Sequence, residues 1–250
     1  MGGPSASSEI LSDVVEEGRR LLDAARAQSI PLRLLGGVGV RLRSSGLPQA
    51  LEREYKDLDL ATTSRGRGAV ADLLKSAGYE PHVAFNAMNS KERMLFFDNA
   101  HGRQVDVFVG AFRMCHEIPL EQRLEVDEAS VPLAELLLTK LQIIEVNEKD
   151  VRDTVAMLLE HPLGDADGPT VNAAQVAKLC ADDWGLWRTI TANLETVRQQ
   201  AARYDVDHVA VEQRLTELLE RIDAEPKSRG WRLRAKIGER KRWYELPEEV

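Results

Sequence analysis

A chain of 250 residues with 43% hydrophobic and 30% charged side chains can bury the core of one large or two modest globular domains. Two cysteines, Cys115 and Cys180, are too few for a disulfide framework and point to a reducing compartment, and no apolar run approaches the roughly 18–20 residues of a membrane span. The net charge of −8 is uneven, because residues 227–243 hold eight Lys/Arg against Glu239 alone, a local +7 that leaves −15 elsewhere.

Residues 1–8 are small and polar and read as disordered, and MGGPSASSE has neither a basic n-region nor an apolar h-region, so a cytoplasmic location is expected. Residues 9–28 place Ile10, Val14, Leu21, Leu22 and Ala25 at the spacing of an amphipathic helix, which Pro31 closes. A short strand through Leu34 and Leu35 then meets Gly36 and Gly37, and residues 38–42 can start a helix. A strand–Gly–Gly–helix turn lets backbone N–H groups approach a phosphate closely at a positive helix end. After a polar connection comes Asp57-Leu58-Asp59-Leu60. Alternate strand residues share a face, so the two carboxylates lie roughly 6–7 Å apart at Cα and converge on one cation while the leucines face the core.

Residues 64–77 carry Val70, Leu73 and Leu74 at helical spacing, with Gly78 past the end. Residues 79–85 read as a strand. Residues 94–97 and 104–109 form a hairpin around residues 98–102. Asp106 stands inside the second arm, in Val105-Asp106-Val107-Phe108, where burial is costly unless a cation compensates it. The order of elements gives a mixed sheet with helices on at least one face, an α/β fold. Three carboxylates and a glycine turn suit metal-assisted phosphoryl transfer.

Residues 133–146 are apolar almost all round and read as a buried helix with Lys140 in its middle. That lysine either snorkels to water or meets an anion. Asn147 is an N-cap with Asp150 at N3, which accounts for Asp150 structurally. Asp153, one turn on, either orients Lys140, acts as a base or is a solvated helix acid. Residues 161–169, rich in Pro, Gly and Asp, mark a boundary. Three helices follow, at residues 172–182, 184–203 and 207–224, with Trp184 and Trp187 read as core. Cys115, His116 and His101 fit no zinc spacing.

At Leu35-Gly36-Gly37, Asp57-Leu58-Asp59-Leu60 and Asp106 the chain resembles the nucleotidyltransferase superfamily built on the DNA polymerase β-like catalytic domain. Within it the chain looks most like the AbiEii-type toxin group, in which a lysine-bearing helix follows the third acid. The resemblance covers about residues 30–160. The nineteen residues between Gly37 and Asp57 exceed the family's usual spacer and suggest an inserted loop around Gly46-Leu47-Pro48. It implies an α/β (α+β) nucleotidyltransferase-like domain over residues 1–161, with flanking and lysine-bearing helices, then an all-helical C-terminal domain over 162–250. It also implies transfer of a nucleoside monophosphate from an NTP to an acceptor, dependent on Mg²⁺ or Mn²⁺. Asp57, Asp59 and Asp106 would hold the metals, with Asp106 helping to deprotonate the acceptor. Gly36 and Gly37 would cradle the phosphates, and Lys140 would neutralise them. Arg41 either assists or is a solvated surface arginine.

The expected acceptor is RNA, tRNA in particular, held by Lys227, Arg229, Arg232, Arg234, Lys236, Arg240, Lys241 and Arg242 interleaved with Trp231, Trp243 and Tyr244. The same tail can equally wrap the acidic body of its own chain. Two rival functions stand beside this one: modification of a small molecule, as by antibiotic adenylyltransferases, and a binding or regulatory scaffold without turnover. Three converging carboxylates have no physical reason to persist in an idle site.

Overall fold

The computed structural model describes residues 9–44 and 46–246, so the N-terminal stretch expected to be disordered lies outside the described residues. The mixed α/β class expected from the sequence is what the chain adopts. It folds as two compact units. The first comprises Met1–Arg43, Glu54–Phe112 and Pro119–Val131; the second comprises Ser44–Arg53, Arg113–Ile118 and Pro132–Val250.

The first unit opens with helix α1 (Val14–Ala27). It starts later than the apolar spacing suggested because the Asp13 carboxylate caps the N–H groups of Val15 and Glu16. Strand β1 (Leu32–Leu34), helix α2 (Gly36–Arg43), strand β2 (Leu58–Thr62) and helix α3 (Arg67–Ser76) follow. Gly78 leaves α3 at φ +97°, the left-handed backbone that ends helices.

The strand expected over residues 79–85 is only β3 (Glu80–Pro81), and the chain then turns into helix α4 (Val83–Asn89). Local capping decides this. His82 Nδ1 accepts from the Phe85 N–H, and the Asn86 side chain bonds both the N–H and the C=O of Leu95. Strands β4 (Arg93–Asp98) and β5 (Arg103–Val109) form the expected hairpin, with Asp98 opposite Arg103. The short strands β6 (Ala111–Arg113) and β7 (Glu117–Pro119) follow, with Arg113–Ile118 belonging to the second unit.

The five strands of the main sheet run in the order β1-β2-β5-β4-β3, with β2 and β5 parallel and the other pairs antiparallel. Alternation sorts its faces. Leu58, Leu60, Met94, Phe96, Val105 and Val107 join Leu21 of α1 and Leu74 of α3 in one apolar core. The intervening residues, Asp59, Gln104 and Asp106 among them, belong to the opposite face.

The second unit is mainly helical. Helix α5 (Leu133–Leu141) ends five residues before the apolar run does, with Gln142 as its C-cap. Helix α6 (Glu148–Glu160) follows, capped by Asn147. Two-residue strands β8 (Leu163–Gly164) and β9 (Val171–Asn172) pair in parallel. Helices α7 (Ala173–Asp182), α8 (Trp184–Ala201) and α9 (His208–Ala224) stand almost where their apolar spacing put them. All nine residues of α5 are buried, so it needs partners on every side, and it packs on α6, α7 and α8. That is why the sequence boundary at residues 161–162 falls inside this unit.

The basic tail forms helix α10 (Arg229–Ile237) and packs within the second unit. Trp231 meets Trp187 edge-on at 5.2 Å, and the Arg234 guanidinium lies 4.6 Å from the Trp184 ring centre. Trp243 donates to Thr189 Oγ1 at 3.1 Å and stacks edge-on against Trp184. His116, buried, bonds the same hydroxyl through Nε2, and burial lowers its pKa. Among the described residues no helix is long and apolar enough to cross a membrane.

Candidate active site

In the first unit the glycine turn meets Asp59, and Asp59 stands in register with Asp106 on the sheet. Gly36 adopts φ +58°, and a Cβ there would fall 1.8 Å from Asp59 Oδ2. Only a residue without a side chain can lie so close to that carboxylate. The Leu35 N–H also donates to the Asp59 carbonyl at 2.8 Å, which pins the turn to β2. Gly37 lies in the first turn of α2, whose N–H groups have no carbonyl to reach within the helix. Gly36→Ala is therefore expected to displace Asp59 and to cost about 1–3 kcal/mol from backbone strain alone, read as a lower urea midpoint.

Asp106 is the direct register partner of Asp59 across the parallel β2–β5 pair. Asp59 is half-buried and Asp106 buried, while Asp57 is exposed one residue before β2. Both oxygens of Asp106 are engaged. Oδ1 accepts from Arg93 Nε at 2.6 Å and Oδ2 from Gln104 Nε2 at 2.9 Å. The cation that compensates this buried acid is thus an arginine of the chain itself. Among the described residues no group of three or more His, Cys, Asp or Glu is arranged to hold a metal ion. Asp57 and Asp59 are hard oxygen donors two residues apart in sequence. That suits Mg²⁺, which is commonly held by one or two carboxylates together with phosphate oxygens.

Lys140 lies in the second unit, buried, and its charge is spent on acids of α6. Its Nζ is 2.9 Å from Asp153 and 3.4 Å from Asp150. Snorkelling to water is excluded by this burial. Asp153 is 3% exposed and also takes a two-pronged bond from Arg53, at 2.8 and 2.7 Å, so it is no solvated helix acid. Burial pushes the Asp153 carboxyl up, but Lys140 and the Arg53 fork outweigh it and hold it below the usual range. Asp150 is raised by burial despite Lys140. Its backbone N–H takes the Asn147 cap as expected, yet its side chain turns to Lys140.

Arg53 reaches this network because the long spacer between Gly37 and Asp57 crosses into the second unit. Residues 44–53 contain a single 3₁₀ turn at Gln49–Leu51, and the Gly46 N–H and Glu52 carbonyl bond Glu160 and Arg152 of α6. Arg41 is half-buried on α2. Sequence reasoning missed Arg93 and Gln104, which hold Asp106 in the first unit, and separately Arg53, which holds Asp153 in the second. No protein-family model matches the chain, and no curated protein matches it.

Proposed function

We propose that the protein is a metal-dependent nucleotidyltransferase, moving a nucleoside monophosphate from an NTP to an acceptor. The observation that carries this reading is the seating of the Gly36 backbone directly on the Asp59 carboxylate, with Asp106 in register beside it. The first turn of α2 presents backbone N–H groups beside a carboxylate, a pairing that suits a triphosphate arriving with Mg²⁺ or Mn²⁺. Asp57 and Asp59 are the residues that hold the ion. Bound there, it supplies charge neutralisation on the phosphates and a lowered pKa for an attacking hydroxyl.

The chain's own residues do the positioning. Gly36 and Gly37 give the phosphates a surface free of side chains. Asp59, fixed by the Leu35 N–H on its own carbonyl, keeps its oxygens at the turn. Asp106 belongs to the site through Arg93, which it orients. Lys140, paired in the second unit with Asp153 and Asp150, is left out of this reading, and Asp153 and Arg53 set where its ammonium stands.

RNA is the acceptor that the tail favours, in a form narrower than its composition suggests. Trp231 and Trp243 are spent on α8, so base stacking on them is withdrawn. Lys227 caps carbonyls at the end of α9, and Arg234 bonds the carbonyls of Gly238 and Lys241. Arg229, Arg232, Lys236, Arg240, Lys241 and Arg242 stay exposed, a surface for phosphates alone.

The test is incubation with each α-labelled NTP, Mg²⁺ and total cellular RNA or a panel of small hydroxyl compounds. Label is expected on RNA, and Arg229→Glu with Arg232→Glu and Lys236→Glu is expected to reduce it about tenfold or more at low salt. Label on a small molecule only would move the acceptor to the antibiotic-type class. No label and no NTP binding would leave a scaffold without turnover.

A further inference from the structure

Arg93 sits at the start of β4, opposite Phe108 of β5, and is fixed from three sides. Its Nε is tied to Asp106 at 2.6 Å, and its Cζ lies 5.4 Å from the Phe108 ring centre and 5.8 Å from that of Phe85 on α4. Asp106 is itself held by Gln104 on its other oxygen, so the carboxylate cannot swing away without breaking a second bond. Only Nε is used. Among the described residues the two Nη groups of Arg93 have no hydrogen-bond partner. Its side chain is 18% exposed, so one edge of the guanidinium meets solvent.

An arginine needed only to neutralise Asp106 would do so best through two parallel bonds, as Arg53 does with Asp153 through Nε and Nη2. Here the chain spends the inner nitrogen on the acid and leaves the fork outward. That is the arrangement of a guanidinium set to take a planar or tetrahedral oxyanion through two N–H groups. The cost of ordering a flexible arginine is met in advance by the two rings and the carboxylate.

We propose that Arg93 binds a phosphate group carried by the acceptor, and so selects phosphorylated acceptors over neutral ones. This rests on the nucleotidyl-transfer reading, which assigns the triphosphate to the glycine turn. In the sheet order β5 separates β2 from β4, so the two strands lie about two strand spacings, roughly 9–10 Å, apart, with Arg93 level with Ala61, two residues beyond Asp59. The triphosphate at Gly36 leaves Arg93 on the far side of Asp59 and Asp106, where the attacking group enters. The acceptor then carries its nucleophilic hydroxyl toward Asp57 and Asp59 and a phosphate toward Arg93. A nucleic-acid end and a phosphorylated small metabolite share that chemistry.

The experiment fills the nucleotide site with a non-hydrolysable NTP analogue and Mg²⁺, then titrates an RNA trinucleotide, ribose 5-phosphate or unphosphorylated ribose. The trinucleotide or the sugar phosphate is expected to bind and ribose not. Arg93→Met is expected to weaken the phosphorylated ligand about tenfold or more. Arg93→Lys, which keeps the charge but not the fork, is expected to recover only part of that. Affinity for the NTP analogue should stay within about twofold in both variants. Which of the two phosphorylated ligands binds tells a nucleic-acid end from a metabolite.

An equal loss of NTP-analogue affinity would assign Arg93 to the triphosphate and overturn the proposal, as would unchanged acceptor affinity in both variants. Should Arg93→Met fail to fold, the wild-type protein still decides. Its Arg93 side-chain ¹⁵N resonances should shift on titration with inorganic phosphate, and a static signal counts against the assignment. That measurement needs no NTP. A wild type that binds no NTP yet shows the shift would refute nucleotidyl transfer while leaving Arg93 an anion site.

Discussion

The double variant Asp57→Asn with Asp59→Asn is expected to remain folded and to lose its response to Mg²⁺ and NTP. Asp57 is exposed and Asp59 half-buried, both changes keep side-chain volume, and Leu58 and Leu60 still anchor β2 in the core. In the wild type, Mg²⁺ and NTP at a hundredfold their dissociation constant should stabilise the protein by about 2.7 kcal/mol. For a chain of this size that is roughly 5–10 °C in melting temperature. The double variant should show none of this shift, and its transfer rate should fall about a thousandfold, the scale of several kcal/mol of lost charge stabilisation.

Asp106→Asn separates two roles for the third acid. With both its oxygens on Arg93 and Gln104, its replacement should leave most of the metal response intact and weaken the acceptor instead. A metal response lost in Asp106→Asn as completely as in the double variant would make Asp106 a metal ligand. An unchanged response in the Asp57/Asp59 variant would end the site assignment altogether.

How legible these features are depends on how local their causes are. The β4–β5 hairpin and helices α7, α8 and α9 follow from apolar spacing and nearby caps, and the sequence reading places them within a few residues. The pairing of Asp59 with Asp106 was within reach too, since alternation puts both acids on the face opposite Leu60 and Val107. Helix α4 escaped because Val83 and Phe85 alternate as strand residues do, while the bonds that decide it come from His82 and from Leu95 in the next strand. Arg53 and Asp153 lie a hundred positions apart. No periodicity encodes such a pair; only the unusual length of the spacer hinted that residues 44–53 leave the first unit. The tail divided in the same way. Its charge was plain in the sequence, but which arginines face solvent depends on Trp184 and Trp187, some fifty residues earlier.

The strongest stability effect is expected at Asp153, and the contrast with Asp150 one turn earlier makes it diagnostic. Asp153 accepts two bonds from Arg53 and one from Lys140 at 3% exposure. Asp153→Asn removes the buried carboxylate that both Lys140 and Arg53 bond, which should cost about 3–5 kcal/mol. Asp150 has only the 3.4 Å contact with Lys140, and its Oδ2 is buried without a hydrogen-bond partner. Asp150→Asn should therefore be close to neutral at pH 7, because it removes a charge that burial already disfavours.

The pH dependences have opposite signs. The carboxyl of Asp153 is depressed when folded, so its contribution is complete above the ordinary carboxylate value of about 4 and is lost as pH falls below it. Asp150 is raised when folded, so its contribution is complete below about 4 and is lost as pH rises through its folded value. Urea midpoints from acid to neutral pH should then show Asp150→Asn gaining on the wild type as pH rises, and Asp153→Asn falling further behind. Parallel curves for the two variants would mean that Lys140 is shared evenly between the acids, and Arg53 would lose its part in placing the ammonium.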